Sequence, residues 1–234
     1  MRIGVVTFPG SNGDHDALSA IEMGLQQEAV PVWHKDRSVD GLDALIVPGG
    51  FSYGDYLRAG AIARFAPIMK AVADFAAQGG PVLAICNGFQ IVTEAGLLPG
   101  VLLRNASLSF SCRWVSVQVE NDATPFTAGI DIGTVLRLPI AHGEGQYFVA
   151  SEQLAELEAH RQIVFRYVAP SLPEEDDFNP NGSVAHIAGV CNVRGNVVGM
   201  MPHPERAYAP ELGGDDGLRV LGAVMRAGLT AAQG

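Results

Sequence analysis

Hydrophobic positions in the first part of the chain follow two alternating patterns. Short β-branched runs at residues 2–8 (RIGVVTF), 30–34, 43–50 (DALIVPGG) and 81–86 (PVLAIC) close on turn residues and read as strands. Between them, residues 17–29 and 61–78 place apolar side chains near helical spacing, and the second run stops at Gly79-Gly80. The near-continuous apolar run of 81–86 suits a strand buried on both faces. Such alternation predicts an α/β fold: a mainly parallel open sheet with helices on both faces.

The pattern then changes. Residues 109–121 (SFSCRWVSVQVEN) alternate polar and apolar, as in a half-exposed antiparallel strand, and predict an added antiparallel arm. A short helix over 152–159 and a strand over 163–168 (IVFRYV) follow. The acidic, Pro- and Asn-containing stretch 171–182 reads as a solvated surface loop. Residues 186–201 predict a hairpin turning at Arg194-Gly195, and 217–232 a closing helix. No repeat or linker interrupts the chain, so one domain over 1–234 is expected.

Charge and composition narrow the function. A net charge of −10 and a pI near 4.9 leave no basic surface for a phosphate backbone, so nucleic acid is not an expected partner. The two lysines, Lys35 and Lys70, follow no phosphate-binding loop, and no glycine-rich dinucleotide fingerprint is present. The three cysteines, Cys86, Cys112 and Cys191, are far apart and match neither a disulfide framework nor zinc-ligand spacing, so no metal is expected. With no secretory leader and no apolar run long enough to span a bilayer, the expectation is a cytoplasmic protein with no membrane partner.

The strongest chemical signal is Ala84–Gln90 (AICNGFQ). A buried strand delivers Cys86 into a tight turn flanked by Ala84 and Gly88, and a helix follows. Such an elbow lifts a nucleophile to the carboxyl edge of the sheet and sets it at a helix N-terminus, which favours thiolate. A cysteine at a strand end is also a common core residue, and the elbow is what favours the reactive reading. A thiol needs a base and an orienter, and residues 202–206 (PHPER) supply both. Prolines on either side predict an extended His203, with Glu205 two residues on, facing the same way and able to fix the imidazole tautomer. Alone, such a pair is more often an ordinary surface His and Glu, and the elbow at the same edge of the sheet is what reverses that reading. Gly49 and Gly50 end the third strand, where free backbone N–H groups suit a developing oxyanion or form a plain turn.

These segments carry a resemblance. FPGSN (8–12), GGFSYGDYLRAGAIA (49–63), CNGFQ (86–90), FSCRWV (110–115), HGEGQY (142–147), NPNGS (179–183), IAGV (187–190) and GNVVGMMPHPER (195–206) run in order along the chain. Together they resemble the class I glutamine amidotransferase family, and within it the glutaminase subunits of bacterial phosphoribosylformylglycinamidine synthases. The family often has Gly where this chain has Ala84.

The resemblance implies a flavodoxin-like sheet and a catalytic Cys86, His203 and Glu205. It implies oxyanion or substrate contacts from Gly49, Gly50, Phe51 and Asn87, and a hold on glutamine from Gln90. It implies no cofactor in this chain, with ATP and Mg used by a large synthase subunit, and a small bridging subunit as a further partner. The activity implied is hydrolysis of glutamine through a cysteinyl thioester, the ammonia serving purine biosynthesis. The rival readings are the glutaminase of another ammonia-using synthase, or a non-amidotransferase cysteine hydrolase on the same sheet. His142 and Glu144 receive no role, and His15, His34, His160 and His186 read as structural or exposed.

Overall fold

A computed structural model describes residues 1–169 and 178–231. The chain opens with β1 (Arg2–Thr7), α1 (Asp14–Ser19), β2 (Glu28–Trp33), β3 (Ala44–Val47), α2 (Pro67–Ala77), β4 (Val82–Ile85) and α3 (Asn87–Glu94). The middle adds β5 (Val101–Leu103), β6 (Ser111–Val119), β7 (Val135–His142), β8 (Gln146–Phe148), α4 (Ser151–Ala159) and β9 (Ile163–Val168). The chain closes with β10 (Ile187–Cys191), β11 (Val197–Met200), α5 (Asp216–Leu221) and α6 (Ala223–Ala231).

The main sheet has the order β2-β1-β3-β4-β11-β10-β9-β6-β7. From β2 to β11 every pairing is parallel, and from β11 outward every pairing is antiparallel. Parallel pairing aims the ends of β1, β3, β4 and β11 at one edge, where ligands of open α/β sheets bind. Four alternations along the arm turn β7 back to the same sense. The arm also curls, because the His203 N–H donates to Pro139 O on β7 at 2.8 Å. The far strand of the sheet therefore comes to rest against the end of β11.

All four residues of β4 are fully buried, as its apolar run predicts. Burying each Val, Leu or Ile contributes about 1.5–3 kcal/mol. The helices are shorter than their apolar spacing suggests. The first starts earlier, at Asp14, widens into a looser turn over Ala20–Gly24 and stops before Gln26, whose φ is 55°. Glu28 and Ala29, expected in that helix, belong to β2. The second begins at Pro67 rather than residue 61, because proline drives Ala66 into extended geometry (φ −61°, ψ 142°). The closing helix breaks at Gly222, and residue 232, its expected end, lies outside the described residues. So does 170–177, most of the expected acidic loop. The hairpin of β10 and β11 forms with Gly195 at positive φ in its turn. Among the described residues no helix is long and apolar enough to cross a membrane.

Candidate active site

Cys86 follows β4 directly and precedes the first residue of α3, so one residue turns the chain from strand to helix. It does so at φ 51°, ψ −108°, a conformation costing on the order of 1–3 kcal/mol. Its N–H donates to Met200 O at 2.8 Å and its carbonyl accepts from the Gln90 N–H at 3.1 Å, which holds the strain in place. Gly88 is required by space: a Cβ there would sit 1.8 Å from Val47 O. The Cys86 Sγ lies 3.7 Å from Ala141 O at the end of β7. The other cysteines differ. Cys112 is exposed away from any elbow, and burial pushes Cys191 up to about 11.

His203 and Glu205 meet as expected, but by another local route. The chain does not stay extended: Pro204–Arg206 forms a single tight turn, and this folds Glu205 back so that His203 Nδ1 and Glu205 Oε1 are 2.5 Å apart. Both residues are buried, at 1% and 0% exposure, so their interaction is unscreened by solvent. Burial alone lowers the His203 pKa, but the Glu205 carboxylate and then Cys86 outweigh it and raise it to about 10. His203 Nε2 has no hydrogen-bond partner among the described residues. It is therefore free to reach a reacting group. The Gly49 backbone packs against both His203 and Cys86: a Cβ there would stand 2.8 Å from His203 Cε1 and 3.4 Å from Cys86 Cβ.

The end of β3 runs across the loop after β1. Gly50 has φ 147°, and a Cβ on it would be 2.7 Å from Ser11 Cα. Phe51 donates its N–H to Gly10 O at 2.9 Å, so this candidate oxyanion donor is occupied in the present conformation. Asn87 acts chiefly through its side chain, accepting from the Ser52 N–H at 3.0 Å and donating to Asp55 Oδ1 at 3.1 Å and Gln90 Oε1 at 2.9 Å. As the first residue of α3, its own N–H has no intrahelical acceptor. Gln90 donates from Nε2 to Glu144 O at 2.6 Å.

That last bond belongs to a part of the site that the spacing of residues does not reveal. His142 is buried at the end of β7, and burial, then the nearby His203, push its pKa down to about 4, leaving the ring neutral. Asn105 Oδ1 accepts from the Gly145 N–H at 2.9 Å and lies 3.1 Å from His142 Nδ1. Its Nδ2 donates to His142 O at 2.9 Å, and Asn181 Nδ2 donates to Gly145 O at 2.8 Å. Two asparagines thus clamp the 142–145 turn. The HGEG and NPNG motifs mark His142, Gly145 and Asn181, no motif marks Asn105, and only their long-range pairing explains them.

These pieces surround one cavity of about 280 Å³, lined by Cys86, His203, Gly50, Gln90, Ala141 and Glu144 among others. Arg206 joins its rim and is held by Asp16 at 2.8 Å. A cleft of about 640 Å³ near Arg64 and Lys70 contains no candidate nucleophile.

A strained thiol, an imidazole backed by a carboxylate and a strand end rich in backbone amides are the equipment of a cysteine-dependent acyl-transfer enzyme. The chain belongs to the CobB/CobQ-like glutamine amidotransferase family, whose domain profile matches residues 1–212. It is 64% identical to phosphoribosylformylglycinamidine synthase subunit PurQ of Thermomicrobium roseum, over 99% of this chain and 98% of that protein. The Moorella thermoacetica subunit of the same name is 58% identical, over 96% and 95%. Among solved structures, that of PurLQS from Thermotoga maritima contains a chain with a TM-score of 0.85 and 43% identity, covering 97% of this chain and 98% of that one.

Proposed function

We propose that this chain is the glutaminase subunit of a phosphoribosylformylglycinamidine synthase. It hydrolyses glutamine to glutamate and ammonia, and the ammonia passes to a synthase subunit that converts formylglycinamide ribonucleotide to the amidine in purine biosynthesis. The observation that carries the chemistry is Cys86 at a strained elbow in the same cavity as the buried His203–Glu205 pair. The full-length similarity to PurQ subunits favours this synthase over other ammonia users, and the PurLQS assembly of Thermotoga maritima supports a synthase subunit and a small third subunit as partners. ATP and Mg are assigned to the synthase, and the location to the cytoplasm.

In this reading the Cys86 thiolate attacks the γ-carboxamide carbon while backbone N–H groups near Gly50 and Asn87 receive the oxyanion. His203, held protonated, gives its Nε2 proton to the departing nitrogen, and ammonia leaves. The neutral imidazole then takes a proton from water, which attacks the γ-glutamyl thioester and releases glutamate, restoring the thiolate and imidazolium. Glu205 holds Nδ1 and stabilises the imidazolium. Because Phe51 N–H is bound to Gly10 O, docking on the synthase is assigned the task of freeing and aligning these donors. Ammonia release, measured for the chain alone and with the synthase and its acceptor nucleotide, tests the assignment. Glutamine-dependent amidine formation supports it, and none from an assembled complex contradicts it.

A further inference from the structure

Beyond the end of β3 the backbone is strained. Tyr53, Gly54 and Asp55 have positive φ in succession, at 53°, 71° and 52°, and Leu57 follows at 72°. A Cβ disfavours this geometry, so three of these residues need contacts that hold them in it. Backbone ties run to the loop after β1: Phe51 and Tyr53 donate their N–H groups to Gly10 O at 2.9 Å and Pro9 O at 2.6 Å. Asp55 is bonded to Asn87. Tyr53 has a further tie, because its hydroxyl oxygen lies 2.6 Å from His34 Nδ1.

His34, to which the spacing of residues gives no role, is itself firmly held. It is 7% exposed, its N–H donates to Thr7 O at 3.0 Å, and its carbonyl accepts from the Ile68 N–H of α2 at 3.2 Å. Its ring meets Trp33 and Tyr53 edge-on, with centroids 4.5 and 5.6 Å away. Burial, then Lys35, lower the His34 pKa against the pull of Asp36, and burial raises that of Tyr53, so the bond joins two neutral groups. Neither residue lines the cavity at Cys86, whereas Phe51 does. Turning the Phe51 N–H from Gly10 O towards an oxyanion must move the chain on both sides of it. Gly50, at φ 147°, permits this on one side, and Tyr53 is pinned on the other.

We infer that Tyr53 and His34 are positioning residues whose bond holds the Phe51 N–H away from the cavity in the isolated chain, and that docking on the synthase works against this bond. The inference rests on the glutaminase reading above. Neither side chain touches the reacting atoms.

The test uses Tyr53→Phe, which deletes the bond and keeps the ring, and His34→Asn, whose amide keeps a polar atom where Nδ1 stands. Hydrogen exchange of the Phe51 amide is followed by NMR in the isolated chain, and glutaminase kcat and KM are measured for the isolated chain and the synthase complex. In isolated Tyr53→Phe, Phe51 exchange and kcat should both rise about 2- to 10-fold, the scale of one neutral hydrogen bond, with KM unchanged. In the complex, kcat should match wild type, so that activation by the synthase shrinks by the same factor. His34→Asn should stay near wild type in every reading. Unchanged Phe51 exchange in Tyr53→Phe, or a kcat that falls in the isolated chain and the complex alike, overturns the inference alone. A wild-type complex that releases no ammonia from glutamine overturns the glutaminase reading and the inference with it.

Discussion

The parallel half of the sheet and the antiparallel arm meet at one cavity, but they build their sides of it differently. In the parallel half each contribution is a strand end: Gly49 and Gly50 after β3, Cys86 after β4, His203 and Glu205 after β11. Adjacency of parallel strands is enough to gather them. The arm contributes the 141–145 turn, and nothing local shapes it. Asn105 precedes β6, Asn181 follows β9, and both reach His142 or Gly145 through buried hydrogen bonds. The parallel half supplies reactive groups on short local motifs, whereas the arm supplies a wall whose shape depends on contacts distant in sequence.

Substitutions in the two regions should therefore fail in different ways. The largest effect belongs to the parallel half: Cys86→Ala should reduce glutaminase kcat by roughly 10⁴ to 10⁶ with the fold intact, since no other group here can form the thioester. Near-normal turnover in that variant would move the nucleophile elsewhere. Glu205→Gln should cost roughly 10² to 10⁴, mainly in kcat, by mis-setting the His203 tautomer and weakening the imidazolium. Equal kinetics in variant and wild type would reduce Glu205 to a packing residue. Between the isolated chain and the synthase complex, alignment of one oxyanion donor should give about 10² to 10³ in kcat, the worth of such a donor. Full activity in the isolated chain would show that the Phe51–Gly10 bond restrains nothing.

The arm should respond through stability and binding. Asn105→Ala removes the acceptor for the Gly145 N–H and a contact of the buried His142, so it should destabilise the protein by about 1–3 kcal/mol and raise the KM for glutamine more than it lowers kcat. Denaturant melting with steady-state kinetics separates the two, and a pure kcat loss would place Asn105 in the chemistry instead. The smallest effect is in pH. Asp55, raised to about 6, is faced by Glu144 with Arg104 beyond it, and by Asn87 and Gln90 from α3. As pH rises through about 6 it loses a proton and takes on a charge that burial and Glu144 oppose, so the protein should lose a small part of its stability. Asp55→Asn should flatten the pH dependence of the melting midpoint, and identical profiles would show that the Asp55 charge costs the fold nothing.

The same contrast explains what could be read in the sequence. The elbow at Cys86 was legible because a buried apolar strand, two small flanking residues and a helix start lie within a few positions. His203 and Glu205 were legible as a pair, although the turn over Pro204–Arg206 that joins them was not, since alternation of proline suggested extended backbone. β7 went unseen because Pro139 in its middle argues against a strand, although inward and outward residues alternate along it. With it went the curl of the arm onto His203 and the roles of Asn105, His142 and Asn181, which only long-range pairing reveals. The two-stranded ribbon of β5 and β8 was missed for the same reason, its strands being only three residues each.

The central claim is that Cys86 is the one thiol that forms the glutamyl intermediate. Incubating the assembled synthase with 6-diazo-5-oxo-L-norleucine, a glutamine-like electrophile, and mapping the adduct by peptide mass spectrometry tests it most directly. One label per chain, on Cys86, blocked by excess glutamine and matched by loss of ammonia release, is the result expected. Labelling of Cys112 or Cys191, or loss of activity with Cys86 unmodified, would contradict it.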